Sequence, residues 1–168
     1  MLHGCGEPQS KAPRALDSSF WIWNRSAPLN GQELMHLKEA QISRVYWQIG
    51  EIEWREGNVV AKAQWPLPGN TPELRFIPVV RLEPTIDDPD KVDAGQLAEW
   101  AKSAGVTDEI QFDYDCPDRL LGHYGALLSE FRKAFGALKI STTALGGWCD
   151  AEQWPKLEET VDAVFPML

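Results

Sequence analysis

From Ser18 onward the apolar positions switch repeatedly between a period of two and a helical period, and the switching outlines a fold. Phe20-Trp21-Ile22-Trp23 is a short aromatic and β-branched run, read as a first strand. Asn30 with Glu33 three residues on predicts a capping box, and Leu34, Leu37 and Ala40 follow at helical spacing. Residues 44–49 predict a second strand, with Val45, Trp47 and Ile49 on one face. Residues 51–54 and 59–65 flank Arg55-Glu56-Gly57-Asn58 and read as a hairpin inserted after that strand. Pro66-Leu67-Pro68-Gly69-Asn70 then interrupts regular structure. Residues 75–83 and 109–115 predict the third and fourth strands, separated by a helix capped by Asp93 and stopped at Gly105. Leu121, Tyr124, Leu128, Phe131 and Phe135 form the apolar stripe of the clearest helix. A fifth strand follows over residues 138–144. A helix opened near Asp150 or Gln153 tolerates Pro155 only in its first turn, and a sixth strand starts at Ala163.

Strands separated by helices imply right-handed βαβ units around a parallel sheet, an α/β class. An open doubly wound sheet usually carries a glycine-rich phosphate turn after its first strand; here Asn24-Arg25-Ser26-Ala27-Pro28 takes that place. The expectation is therefore a (β/α) barrel of the TIM type, apparently incomplete, since closure takes eight strands and about six are legible. Ending inside an apolar strand at Phe165-Pro166-Met167-Leu168 favours a fragment of a longer chain. Residues 18–168 form the barrel domain in this reading, and residues 1–17 a polar tether.

That tether carries one signal. Leu2-His3-Gly4-Cys5 resembles the lipobox of bacterial lipoproteins, in which the cysteine becomes lipid-modified, although the charged and apolar regions that should precede it are absent. A lipid on Cys5 implies anchoring to a membrane surface rather than spanning, and no stretch approaches the roughly 20 apolar residues of a membrane helix. The expected location is the cell envelope if a full signal peptide exists, and otherwise the cytoplasm. A net charge of −9 with dispersed Lys and Arg argues against a nucleic-acid partner. Eight tryptophans are many for 168 residues, and suit a sugar-lined cleft and a packed core about equally.

Alternation along each strand separates helix-facing from interior residues. Ile110, Phe112 and Tyr114 share one face of the fourth strand; Gln111, Asp113 and Asp115 share the other. The same test leaves Tyr46 and Gln48 inside on the second strand, Arg81 and Glu83 on the third, Thr143 with Ser141 on the fifth, and Trp23 and Arg25 on the first. These groups would meet at the carboxyl ends of the strands, where barrels of this type keep their active sites. Two or more carboxyl groups in one mouth suit acid–base chemistry, and Asp113, Asp115 and Glu83 are the candidates. Arg81 and Arg25 could equally neutralise those aspartates in a purely structural network. His3, His36 and His123 lie far apart and no Cys–His spacing suits zinc, so neither a metal nor another cofactor is expected. No Gly-x-Ser-x-Gly nucleophile elbow occurs.

Gln111-Phe112-Asp113-Tyr114-Asp115-Cys116-Pro117, with Trp21-Ile22-Trp23, Val79-Val80-Arg81 and Ile140-Ser141-Thr142-Thr143-Ala144-Leu145, resembles an uncharacterised bacterial family, the domain of unknown function 3142. The resemblance runs from Phe20 onward and implies a barrel similar to glycoside hydrolases, often in envelope proteins, without an established activity. The Asp-x-Asp also looks like the chitinase-type signature, but Pro117 stands where that family carries its acid glutamate, which puts substrate-assisted chitin cleavage in doubt.

Two readings follow. One is a carbohydrate-active barrel that hydrolyses or binds a glycan or other small polar ligand through Asp113, Asp115 and Glu83, with Trp23, Arg25, Tyr46, Gln48, Arg81, Thr143 and Trp148 as binding residues. The other is a non-catalytic envelope scaffold. Cys116 and Cys149 fall at one rim of neighbouring strands, within disulfide reach unless the loop after Ala144 carries Cys149 away.

Overall fold

The computed structural model describes residues 18–83 and 89–167; the tether with Cys5 lies outside them. Six parallel strands form one sheet: β1 (Ser19–Ile22), β2 (Arg44–Arg55), β4 (Arg75–Leu82), β5 (Glu109–Asp113), β6 (Lys139–Leu145) and β7 (Ala163–Met167), side by side in that order. A seventh strand, β3 (Asn58–Gln64), returns antiparallel along the far half of β2. Four helices sit in the connections: α1 (Gly31–Glu39), α2 (Ala94–Ser103), α3 (Leu121–Phe135) and α4 (Trp154–Thr160). The sheet curls on itself. Trp21 of β1 and Tyr46 of β2 both touch the Phe165 ring of β7, at centroid distances of 5.5 and 5.1 Å, although β1 and β7 are the two ends of the strand order. The result is a half-barrel with a concave inner face.

Each connection that contains a helix follows from its capping and apolar spacing. Asn30 Oδ1 accepts the N–H groups of Gln32 and Glu33, and the Glu33 carboxylate accepts the Asn30 N–H, completing the box that starts α1. Asp93 caps α2 through the Gln96 N–H. Gly136, at φ 105°, ends α3 in backbone few side chains tolerate, and Pro155 stands in the first turn of α4. The outward face of the sheet packs Trp47, Ile110, Phe112 and Ile140 under Leu97, Leu128, Phe131 and Leu157 of the helices. Trp47 and Trp148 are completely buried there, so part of the tryptophan excess is core.

The inner face holds a smaller apolar layer of Tyr46, Ile77 and Val79, with Trp21 and Phe165 against it. The Trp21 indole stacks on Tyr46 at 4.6 Å and 8°, and its Nε1–H donates to Gln111 Oε1 at 2.7 Å. This layer closes the floor of the half-barrel.

Two strands end earlier than the sequence suggests, β4 at Leu82 and β5 at Asp113, and one runs further. The expected second strand and the first arm of the expected hairpin are one continuous β2, because β3 supplies hydrogen-bond partners beyond the point where β1 stops. The pairing of β2 with β4 slips by one residue between Gln48 and Gly50. Gly50 faces α2 at the slip, where a Cβ would come within 2.6 Å of the Trp100 ring. Among the described residues no helix is long and apolar enough to cross a membrane.

Candidate functional site

The mouth of the half-barrel is built from the carboxyl ends of four adjacent strands. Register pairs Glu51 of β2 with Arg81 of β4, and Arg81 with Asp113 of β5. Thr143 of β6 closes the row by donating its hydroxyl to Asp113 Oδ1 at 2.7 Å. Asp113 is 5% exposed. Burial raises its carboxyl above the ordinary 3.8; the Thr143 hydrogen bond works against that, the nearby charge of Asp115 adds to it and Arg81 opposes it. Asp115 lies just past the strand end, half-buried, with Oδ2 3.5 Å from Arg81 Nη2.

The other expected residues divide into three groups. Gln48 and Trp23 stand at the mouth: the Gln48 side chain is buried and its Oε1 accepts the N–H of Asn24 at 2.9 Å, fixing the backbone immediately after Trp23. Asn24 there has φ 53°, a left-handed conformation that asparagine tolerates better than most residues. Trp23, Trp21, Thr143, Phe165, Pro166 and Met167 line an open cleft of about 330 Å³ between the two ends of the sheet. Glu83 stands at the rim, paired with Lys62 of β3 at 3.3 Å.

Tyr46 faces inward but belongs to the floor, two residues and about 7 Å below Gln48 along the strand. Its phenol pKa is raised, first by burial and next by the charge of Glu109, near the opposite end of the barrel.

Arg25 and Trp148 are elsewhere. The Arg25 guanidinium grips Glu33 through two 2.7 Å bonds and turns back onto the carbonyl oxygens of Ala27 and Pro28, so it reinforces the start of α1. That grip, with the Asn30 N–H, lowers the Glu33 carboxyl to about 2. Trp148 is buried on the helix-facing side, its Nε1–H donated to the Cys116 carbonyl at 2.9 Å and its ring edge-on to Tyr124. Residues 146–150 form a helical turn that tucks Trp148 inward. The same turn leaves Cys149 exposed while Cys116 is buried, and both of these cysteines are free: the loop after Ala144 carries Cys149 away from the rim. Burial, with the charge of Asp118, pushes the Cys116 thiol up to about 12.

Glu51 is the mouth residue that strict alternation misses. Counting in twos from Gln48 turns Glu51 toward the helices; the slip at Gly50 turns it inward, where Gln48 Nε2 lies 3.4 Å from its Oε1. Ile49 and Gly50 both face outward at the slip, and the mark it leaves in the sequence is a glycine inside a strand. Among the described residues no group of three His, Cys, Asp or Glu side chains is placed to hold a metal ion.

A model of a domain of unknown function, DUF3142, matches residues 75–166, from β4 into β7 and through Arg81, Asp113, Asp115 and Thr143. The match spans more than half of the 168 residues. The chain belongs to this family. No curated protein matches the chain. In this DUF3142 chain the matched stretch supplies three of the four residues in the row across the mouth, while Glu51, Gln48 and Trp23 come from the part before it.

Proposed function

We propose that this DUF3142 chain is a carbohydrate-active domain of TIM-barrel type, working on a glycan held in the mouth of the half-barrel. The observation that carries the reading is Asp113: a buried carboxyl with its proton affinity raised, beside a half-exposed Asp115, at the carboxyl ends of parallel strands. Two carboxyl groups in unlike surroundings can divide the labour of acid and base in glycosidic cleavage. Trp23, 38% exposed over the cleft, offers the flat apolar surface on which a sugar ring stacks. Envelope anchoring through Cys5 belongs to the same proposal on the condition that a full signal peptide precedes it, with the cytoplasm as the alternative; partitioning into detergent of protein expressed from the intact gene, lost on Cys5→Ser, tests it.

The test of activity is incubation of the full chain with cello-, chito-, malto- and xylo-oligosaccharides, following both binding and new reducing ends. Turnover of one of them that disappears in Asp113→Asn and Asp115→Asn variants of native fold supports the proposal; no binding and no turnover anywhere in the panel overturns it. Glu83→Gln with an unchanged pH–activity profile removes Glu83 as the acid.

A second reading, a non-catalytic envelope scaffold, draws on the ion pairs Lys62–Glu83 and Arg81–Asp115, which hold two of the carboxylates. It expects glycan or protein binding without new reducing ends.

A further inference from the structure

We propose that Glu51 is the second carboxylate of the site, the general base partnered with Asp113 as general acid, and that hydrolysis proceeds with inversion at the sugar. The proposal rests on the carbohydrate-active reading and deepens it. Its basis is the order of the row: Glu51, Arg81 and Asp113 occupy matched register positions on three neighbouring strands, so the two acids flank the guanidinium. Neighbouring strands lie about 4.8 Å apart, which sets the two acids about 9–10 Å apart at the backbone. Side chains leaning into a concave face converge, and their carboxyl groups fall toward the separation of about 6.5–9.5 Å that leaves room for a water, rather than the about 5–5.5 Å of a retaining pair.

The surroundings divide the roles. Asp113 is buried, hydrogen-bonded to Thr143 and favours its proton, which suits the donor. Glu51 is less buried and takes a side-chain amide contact from Gln48. In the reaction the Asp113 carboxyl gives its proton to the glycosidic oxygen as the bond from that oxygen to the anomeric carbon breaks. A water oxygen bonds the same carbon from the opposite face, and its proton passes to Glu51. One water is consumed, two sugar hydroxyl-bearing products form, and proton exchange with solvent restores both acids. Arg81 stands between them, held by a contact no shorter than 3.5 Å to Asp115, and is positioned to hold substrate hydroxyls over the gap.

The experiment uses the full chain and the oligosaccharide from the panel above that it cleaves, with the anomeric proton followed by NMR in the first minutes. The expected result is a product of inverted configuration. Glu51→Gln should lose at least about 100-fold in kcat with near-ultraviolet circular dichroism unchanged. Glu51→Asp, which withdraws the carboxylate by one methylene, should lose less. The acidic limb of the pH–rate profile should vanish in Glu51→Gln and the basic limb in Asp113→Asn. Glu53→Gln, on the same hairpin arm, should keep the parent rate. Retained configuration, or Glu51→Gln turning over at the parent rate, overturns the assignment and leaves the carbohydrate-active reading standing. A parent inert toward the whole panel removes both.

Discussion

At the end of β5, Asp113 binds its proton more tightly when folded than when unfolded, and this gives a stability signature separate from any activity. Between the ordinary value of 3.8 and the raised folded value, the native state holds more protons than the unfolded chain, so stability falls as pH rises through that window. Above it, the folded protein carries a buried charge supported chiefly by one hydroxyl. Asparagine keeps the shape and an acceptor for Thr143 without the charge. Asp113→Asn is therefore expected to melt a few degrees higher than the parent at neutral pH, with the gain shrinking as the pH falls toward 3.8. Melting curves of both proteins across that range check it. A lower melting temperature for the variant at neutral pH would mean that the carboxylate itself holds β5 to β6.

At the scale of elements, the β2–β4 pairing turns on Gly50. A methyl group there meets the Trp100 ring, which sits wedged between α2 and the hairpin, so Gly50→Ala should cost about 1–3 kcal/mol by overpacking. It should also disturb the phase of β2 beyond the slip and pull Glu51 out of line with Arg81. Thermal melting reads the first effect; an unchanged melting temperature would show that Trp100 yields freely. The slip also marks the limit of sequence reading here. Strand and helix order, the capping box at Asn30 and the inward placement of Asp113, Arg81, Gln48 and Thr143 were all legible, because they follow from strict periods and local caps. Glu51 was not, since one irregular pair reverses every later residue of the strand. Arg25 and Trp148 misled for a different reason. Each leaves its strand before the alternation rule can place it, Arg25 in the turn captured by Glu33 and Trp148 in a turn of helix folded against α3.

The whole molecule leaves the outer edges of β1 and β7 without strand partners among the described residues, and Phe20 and Met167 beside them are 51% and 40% exposed. Free edges next to apolar side chains favour association, which the net charge of −9 opposes only at low salt. Light scattering of this chain should show mass rising with concentration and with ionic strength, and Phe20→Lys should reduce the rise; a monodisperse monomer at high concentration and high salt would contradict it.

The sealed thiol of Cys116 adds a clock. With Cys5 replaced by serine, an aromatic disulfide reagent should modify Cys149 at once, whereas Cys116 must wait until the Trp148 bond to its carbonyl breaks and the helical layer lifts. The slow phase then counts openings of the native state. Any compound bound only by the closed form slows that count by the factor 1 + [L]/Kd, whether or not it is chemically changed. Equal rates at the two cysteines would show that the helical layer is already open. A two-phase trace instead turns one buried sulfur into a way of finding a ligand of this domain without an assay of turnover.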